Sequence, residues 1–169
     1  QLMALPPLLK HGLTPLPHWH LLLSPHLSKA QQQRIQTTMG QGCQRAAMEI
    51  TFHQGTAAQF AHLLPRMHFA IGLAGTANEQ CVAHGLPVIS FPGAPTAQQY
   101  TAAFGEAQQR LLGAGLRFYP HLTPELLGWQ LQHLYRHQKI YRQVTRAMAR
   151  QRFGSAGAVE RMVQHLQHL

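Results

Sequence analysis

The sequence predicts an α/β fold, a parallel sheet with helices on its faces. Two observations carry this. Short, almost wholly apolar runs recur along the chain, each bounded by Pro, Gly or polar residues, as strands buried on both faces require. Between them lie longer segments with helical periodicity and good helix-start residues, so strands and helices alternate. With 169 residues and 45% apolar content the chain is large enough to bury a core.

Each element can be justified in turn. "HWHLLLSP" (His18–Pro25) is an apolar run closed by Pro and reads as the first strand. "LSKAQQQRIQTTMGQG" follows as a helix, with Ser28 as its cap and Gly40/Gly42 as its stop. "AMEITFHQ" (Ala47–Gln54) is the second strand. "TAAQFAHLLPRM" places Phe60, Leu63 and Leu64 at helical spacing behind a Thr56 cap. "HFAIGLAG" is the third strand, "TANEQCVAHG" a short helix stopped by Gly85, and "LPVISFPG" the fourth strand. "TAQQYTAAFGEAQQRLLGAG" is a longer helix that offers Tyr100, Phe104, Leu111 and Leu112 to a core face. "LRFYP" is a short strand. From Thr123-Pro124-Glu125 one or two helices run to a break at Gly154–Gly157, and "AVERMVQHLQHL" forms the last helix. The chain reads as one domain over residues 1–169, with its C-terminal helices over 123–169. It begins at Gln1, inside what reads as a helix end, so a longer protein with a preceding segment is expected.

Composition narrows the function. There are 14 Lys and Arg against 5 acids, all of them Glu, for a net charge of +9. The absence of Asp excludes protein-kinase motifs and Asp-rich metal sites. A basic chain favours anionic partners, or merely carries Arg, Gln and His on solvated faces. Cys43 and Cys81 stand in no metal-ligand spacing, which favours a reducing compartment. "LPPLLKHGLTPLPHWHLLLSP" is cut by Pro and Lys, and no apolar run approaches the ~20 residues of a membrane-spanning helix.

Ligands of parallel sheets bind where a strand ends and the next helix begins. "GLAGTANEQCVAHGLPVISFPG" (Gly72–Gly93) contains such a turn. Ala74 and Gly75 permit close backbone approach, and the amides of Thr76, Ala77 and Asn78 at a helix start favour phosphate. Glu79 and Gln80 lie one turn further in, within reach of sugar hydroxyls. Small residues in such a turn also serve packing, and neither a Walker A sequence nor G-x-G-x-x-G is present.

This stretch resembles the nucleotide-sugar half of GT-B glycosyltransferases, a Rossmann-like domain. It is most similar to lipid-A-disaccharide synthase and its related proteins, and the likeness extends to the peptidoglycan N-acetylglucosaminyltransferase. The shared pattern is Ala74-Gly75-Thr76-Ala77-Asn78-Glu79-Gln80, then Gly85-Leu86-Pro87-Val88-Ile89. "FPGAPTAQQYTAAFGEAQQRLLGAG" resembles the following segment, where Gln98-Gln99 match a pair that contacts the donor sugar. "ITFHQGTAAQFAHLLPRMHFAIG" resembles the preceding one, in which Phe52 and His53 match positions that read the base. "RQRFGSAGAVERMVQHL" is similar to the family's ending. The likeness covers residues 47–169.

The resemblance implies the C-terminal, donor-binding domain of a hexosyltransferase that moves a sugar from a nucleotide diphosphate sugar, UDP-linked, to an acceptor that includes lipids. Thr76 and the amides of Gly75 and Ala77 would hold diphosphate, Gln80 ribose, Gln98 and Gln99 the sugar, and Phe52/His53 the base; no metal or cofactor is implied. Counting back from Pro87 puts the family's ribose-binding glutamate on Gln80, with Glu79 as the secondary candidate; an amide pairs there without the strength of a carboxylate. His68 stands where such strands begin with Asp. The family's glycine loop and its acceptor domain, source of the catalytic base, are not in this chain, so the isolated chain is expected to be inactive and its catalytic residues stay unassigned. Two alternatives remain open: a non-catalytic sugar-nucleotide-binding module that works with a partner chain, and a sugar-nucleotide 2-epimerase-like protein.

Other features have plainer readings. The thirteen histidines, His18, His20, His165 and His168 among them, form no known ligand motif and read as solvated. Cys81 reads as a small buried hydrophobe rather than a nucleophile. Arg136, Lys139, Arg142, Arg146, Arg150 and Arg152 repeat at helical spacing with Leu134, Ile140 and Val144. This basic amphipathic stretch suits either core packing with a solvated face or peripheral contact with an anionic membrane on its cytoplasmic side. No basic-aromatic platform for nucleic acid is present.

Overall fold

The computed structural model describes residues 17–73, 75–93, 100–154, 157 and 163–165. They form an α/β structure of parallel strands flanked by helices, compatible with a Rossmann-like fold. The chain divides into two compact units, Gln1–Met67 with His121–Gln138, and His68–Pro120 with Lys139–Leu169. Among the described residues the strands make two ladders, one in each unit.

In the first unit β1 (Trp19–Leu23) and β2 (Ile50–Gln54) pair in parallel, from Trp19↔Ile50 to Leu23↔Gln54. A parallel pair needs a crossover, and α1 (Lys29–Arg45) supplies it. Ser28 caps α1 in a reciprocal box: its hydroxyl accepts the Gln31 N–H, and Gln31 Oε1 accepts the Ser28 N–H at 2.8 Å. Gly40 and Gly42 do not stop the helix. It continues to Arg45 because Gly42 and Cys43 are buried packing positions, with Cys43 fully enclosed. The stop falls on Ala47 instead, at φ 55°, where the Ala47 N–H reaches Gln44 O and the Met48 N–H reaches Cys43 O. Helix α2 (Ala57–Leu63) starts on a Thr56 cap and tightens into a 3₁₀ turn at Leu64–Arg66. Helix α5 (Pro124–Arg136), capped by Thr123, turns Leu127, Leu131 and Leu134 inward.

In the second unit β3 (Ala70–Gly72), β4 (Val88–Ser90) and β5 (Leu116–Phe118) run parallel in the order β3-β4-β5. Helix α3 (Thr76–Ala83) follows β3 and stops at Gly85, whose φ of 74° suits a residue without a side chain. Helix α4 (Ala102–Leu112) precedes β5, and α6 (Gln138–Phe153) follows α5. Val82, Leu86, Val88, Ile89, Leu112 and Leu116 are each at most 1% exposed. Burial of one such side chain is worth about 1.5–3 kcal/mol, so this cluster holds the short strands in register.

Two helix faces differ from the expected ones. Leu112 of α4 is buried, but Phe104 and Leu111 are half exposed, and Gly105 and Gln108 take their places inside. The ring of Phe118 lies where a Gly105 Cβ would be, so this face of α4 packs against β5 by smallness rather than bulk. On α6, Ile140 and Val144 are exposed while Thr145 and Ala149 are buried. Small residues again win: the Thr145 methyl lies 3.3 Å from the position of a Gly115 Cβ.

Candidate functional site

The turn between β3 and α3 is built by close approach. A Cβ on Gly72 would collide with Asn78 Oδ1, so glycine lets the strand end lie against the first turn of the helix. The Ser90 hydroxyl, at the end of the neighbouring strand, donates to Leu73 O. Gly75 has φ 105° and ψ −172°, a conformation that L-residues rarely adopt. Nothing lies within 4 Å of where its Cβ would be, so glycine is required by the backbone and not by crowding.

Ser28, Thr56, Thr101 and Thr123 cap their helices with side-chain oxygens. Helix α3 begins on Gly75, which has no side chain to do so. The Asn78 N–H folds back on Gly75 O at 3.0 Å and is therefore not among the free amides that the sequence suggested. Thr76 and Ala77 remain exposed at the positive end of the helix.

Behind the turn is a buried amide network that the sequence reading missed. Asn78 and Gln108 are 3% and 4% exposed. Asn78 Nδ2 donates to Gln108 Oε1 at 2.9 Å, and Gln108 Nε2 donates to Gly75 O at 3.0 Å, with a longer contact to Glu79 Oε1 at 3.4 Å. One residue of α4 thus holds three parts of the turn. The available signal was positional: Gly105, Gln108 and Leu112 share a helical stripe.

The candidates separate clearly. Gln80 is exposed one turn beyond Thr76 on the same side of α3, whereas Glu79 is half-buried and turned to Gln108. Cys81 lies in the core and burial pushes its thiol up to about 12, so it is not a nucleophile at neutral pH. Ala74, Gln98 and Gln99 lie outside the described residues, as does most of the last helix expected over 158–169.

Phe52 and His53 belong to the first unit, on β2. There the histidines are not simply solvated. The rings of His18, His20 and His53 stack in a row, with centroid spacings of 4.3 and 5.2 Å. The Gln59 side-chain amide nitrogen lies 2.8 Å from His53 Nδ1, and His53 Nε2 lies 2.9 Å from His20 Nδ1. An amide NH₂ can only donate, so His53 accepts on Nδ1 and donates from Nε2 to His20 Nδ1. Burial, then the charges of His18 and His53, lower the pKa of His20. At the end of the row His18 Nδ1 stands 3.4 Å from Glu49 and its Nε2 bonds Thr51 Oγ1 at 2.8 Å.

Among the described residues no three His, Cys, Asp or Glu side chains are grouped to hold a metal ion, and no helix is long and apolar enough to cross a membrane. No family model matches the chain, and neither a curated protein nor a solved structure shows significant similarity to it.

Proposed function

We propose that the β3–α3 turn binds the diphosphate of a nucleotide sugar, and that the chain is the donor domain of a GT-B-type glycosyltransferase. The observation that carries this reading is the start of α3. Gly75 leaves the helix without a side-chain cap, a buried amide network ties the turn to α4, and Thr76 and Ala77 at the helix start are exposed. A helix start of this kind, following a strand of a parallel sheet, suits an anionic ligand. The ordered likeness of Gly75–Gln80 and Gly85–Ile89 to donor domains narrows the anion to a sugar nucleotide.

In this reading the Thr76 and Ala77 amides and the Thr76 hydroxyl hold phosphate oxygens, stabilising the negative charge that develops on the leaving diphosphate. Gln80 pairs with a ribose hydroxyl. The chain contributes the leaving-group side of the reaction, and the base that activates the acceptor hydroxyl comes from an acceptor domain or partner chain. The acceptor class that the likeness favours is lipid-linked.

Calorimetric titration with UDP-N-acetylglucosamine, and with other nucleotide sugars in parallel, tests the reading. Saturable binding is expected, weakened about fivefold by Gln80→Ala through loss of one neutral hydrogen bond of about 1 kcal/mol. Absence of binding to every nucleotide sugar, or unchanged affinity in Gln80→Ala, refutes the assignment.

A further inference from the structure

At the opposite edge of the three-stranded ladder, where β5 begins, the second unit has a separate cleft. Its volume is about 300 Å³, and Gln109, Arg110, Gly113, Ala114, Leu116 and Arg117 line it. The β3–α3 turn follows the carboxyl end of its strand, whereas this cleft precedes the amino end of a parallel strand, so the two are distinct.

Its polar side chains are those of Gln109, Arg110 and Arg117, none of them acidic. Arg110 and Arg117 bring two guanidinium groups. Gln109 Oε1 is already committed, accepting the Phe118 N–H at 2.6 Å, which leaves the Gln109 NH₂ for a ligand. No carboxylate lines the cleft. The one ion pair within 4 Å among the described residues, His18–Glu49, lies in the first unit. Glu106 stands one helical turn before Arg110 without pairing with it at that distance, and Glu79 is turned to Gln108.

Arg117 is also held in place. Its guanidinium lies over the Tyr141 ring, 4.4 Å from the centroid. Gly113 lets the turn pass close to Met148, whose sulfur is 2.8 Å from where a Gly113 Cβ would be. A preset guanidinium binds an anion with less loss of side-chain freedom than a mobile one.

We infer that this cleft binds a phosphate group, free or as the monoester of a small molecule. Two arginines and a glutamine amide line a space with no carboxylate in its wall, and a phosphate can accept from all three side chains. The volume is at the small end of the range for ligand sites, and Leu116 and Ala114 offer an apolar wall to an attached carbon chain. The inference is independent of the donor-domain reading, because it uses none of the residues of the β3–α3 turn.

The test is a ¹H–¹⁵N NMR titration of the whole chain with inorganic phosphate and with glycerol 3-phosphate, at constant ionic strength. Saturable shifts are expected at the Gly113, Ala114 and Arg117 amides. Tighter binding of glycerol 3-phosphate assigns a monoester, and equal affinity assigns the free ion; both support a phosphate site. Arg110→Gln, at an exposed position, and Arg117→Gln should each weaken binding about tenfold, the loss of one charge-assisted contact. Shifts that rise linearly, that spread evenly over the arginine-bearing surface, or that survive within twofold in Arg110→Gln overturn the inference.

Discussion

Replacing Gln108 by leucine removes the side chain that joins α4 to the β3–α3 turn while keeping its approximate volume. Three contacts are lost, and they differ in weight. Asn78 is 3% exposed, so its Nδ2 donor is stranded where water cannot replace the Gln108 oxygen. A buried donor left unpaired costs about 1–3 kcal/mol. The bond to Gly75 O adds about 1 kcal/mol, while the 3.4 Å contact to Glu79 is too long to add much. Leucine recovers about 1 kcal/mol by its greater apolar burial. The net loss is about 2 kcal/mol. With a urea m-value of about 2 kcal/mol/M, the unfolding midpoint falls by about 1 M. The informative partner is Asn78→Leu/Gln108→Leu. Replacing both members of a buried hydrogen-bonded pair strands neither, so the double variant should lose less than the sum of the singles, with a coupling of about 1–2 kcal/mol. Urea unfolding followed by circular dichroism measures all four proteins. A Gln108→Leu loss below about 0.5 kcal/mol, or strict additivity in the double variant, refutes the account of the turn.

Two further predictions concern the first unit. Ala47→Gly should stabilise the protein by about 0.5–1 kcal/mol, since the exposed Ala47 holds φ 55° at the end of α1 and loses no packing; the melting temperature should rise by about 1–4 °C, and a fall would contradict the stop described there. Stability should also fall as pH drops below 6.5, the ordinary value from which the His20 pKa is lowered. In that window the unfolded chain binds a proton that the folded His20 resists, so the contribution is intact above 6.5 and declines below it. His20→Gln should flatten this part of a midpoint-against-pH curve, and an unchanged slope would remove His20 as the cause.

What the sequence made legible follows from where the physics is local. Caps act within one turn, so Ser28, Thr56 and Thr123 were readable without the fold, as was the Gly85 stop. Apolar runs between turns located all five strands among the described residues. What stayed hidden depends on contacts between distant segments. Gly42 looks like a helix end until Cys43 is seen to be enclosed. Phe104 looks like core until Phe118 is found to occupy the space beside Gly105. The same holds at the site. Gly75 and the exposed Thr76 and Gln80 could be read from the strand-to-helix pattern, but Gln108 is 33 residues from the carbonyl that it holds. The His20–His53 bond likewise depends on the parallel register that sets Leu22 opposite His53.

The bond from Phe118 N–H to Gln109 Oε1 has a consequence for association between molecules. β5 is the outermost strand of its ladder, and its outward amides are the groups that an incoming strand would grasp. A side chain from the preceding helix already occupies one of them. Strand-by-strand addition of a second chain at β5 therefore loses one of its first backbone bonds.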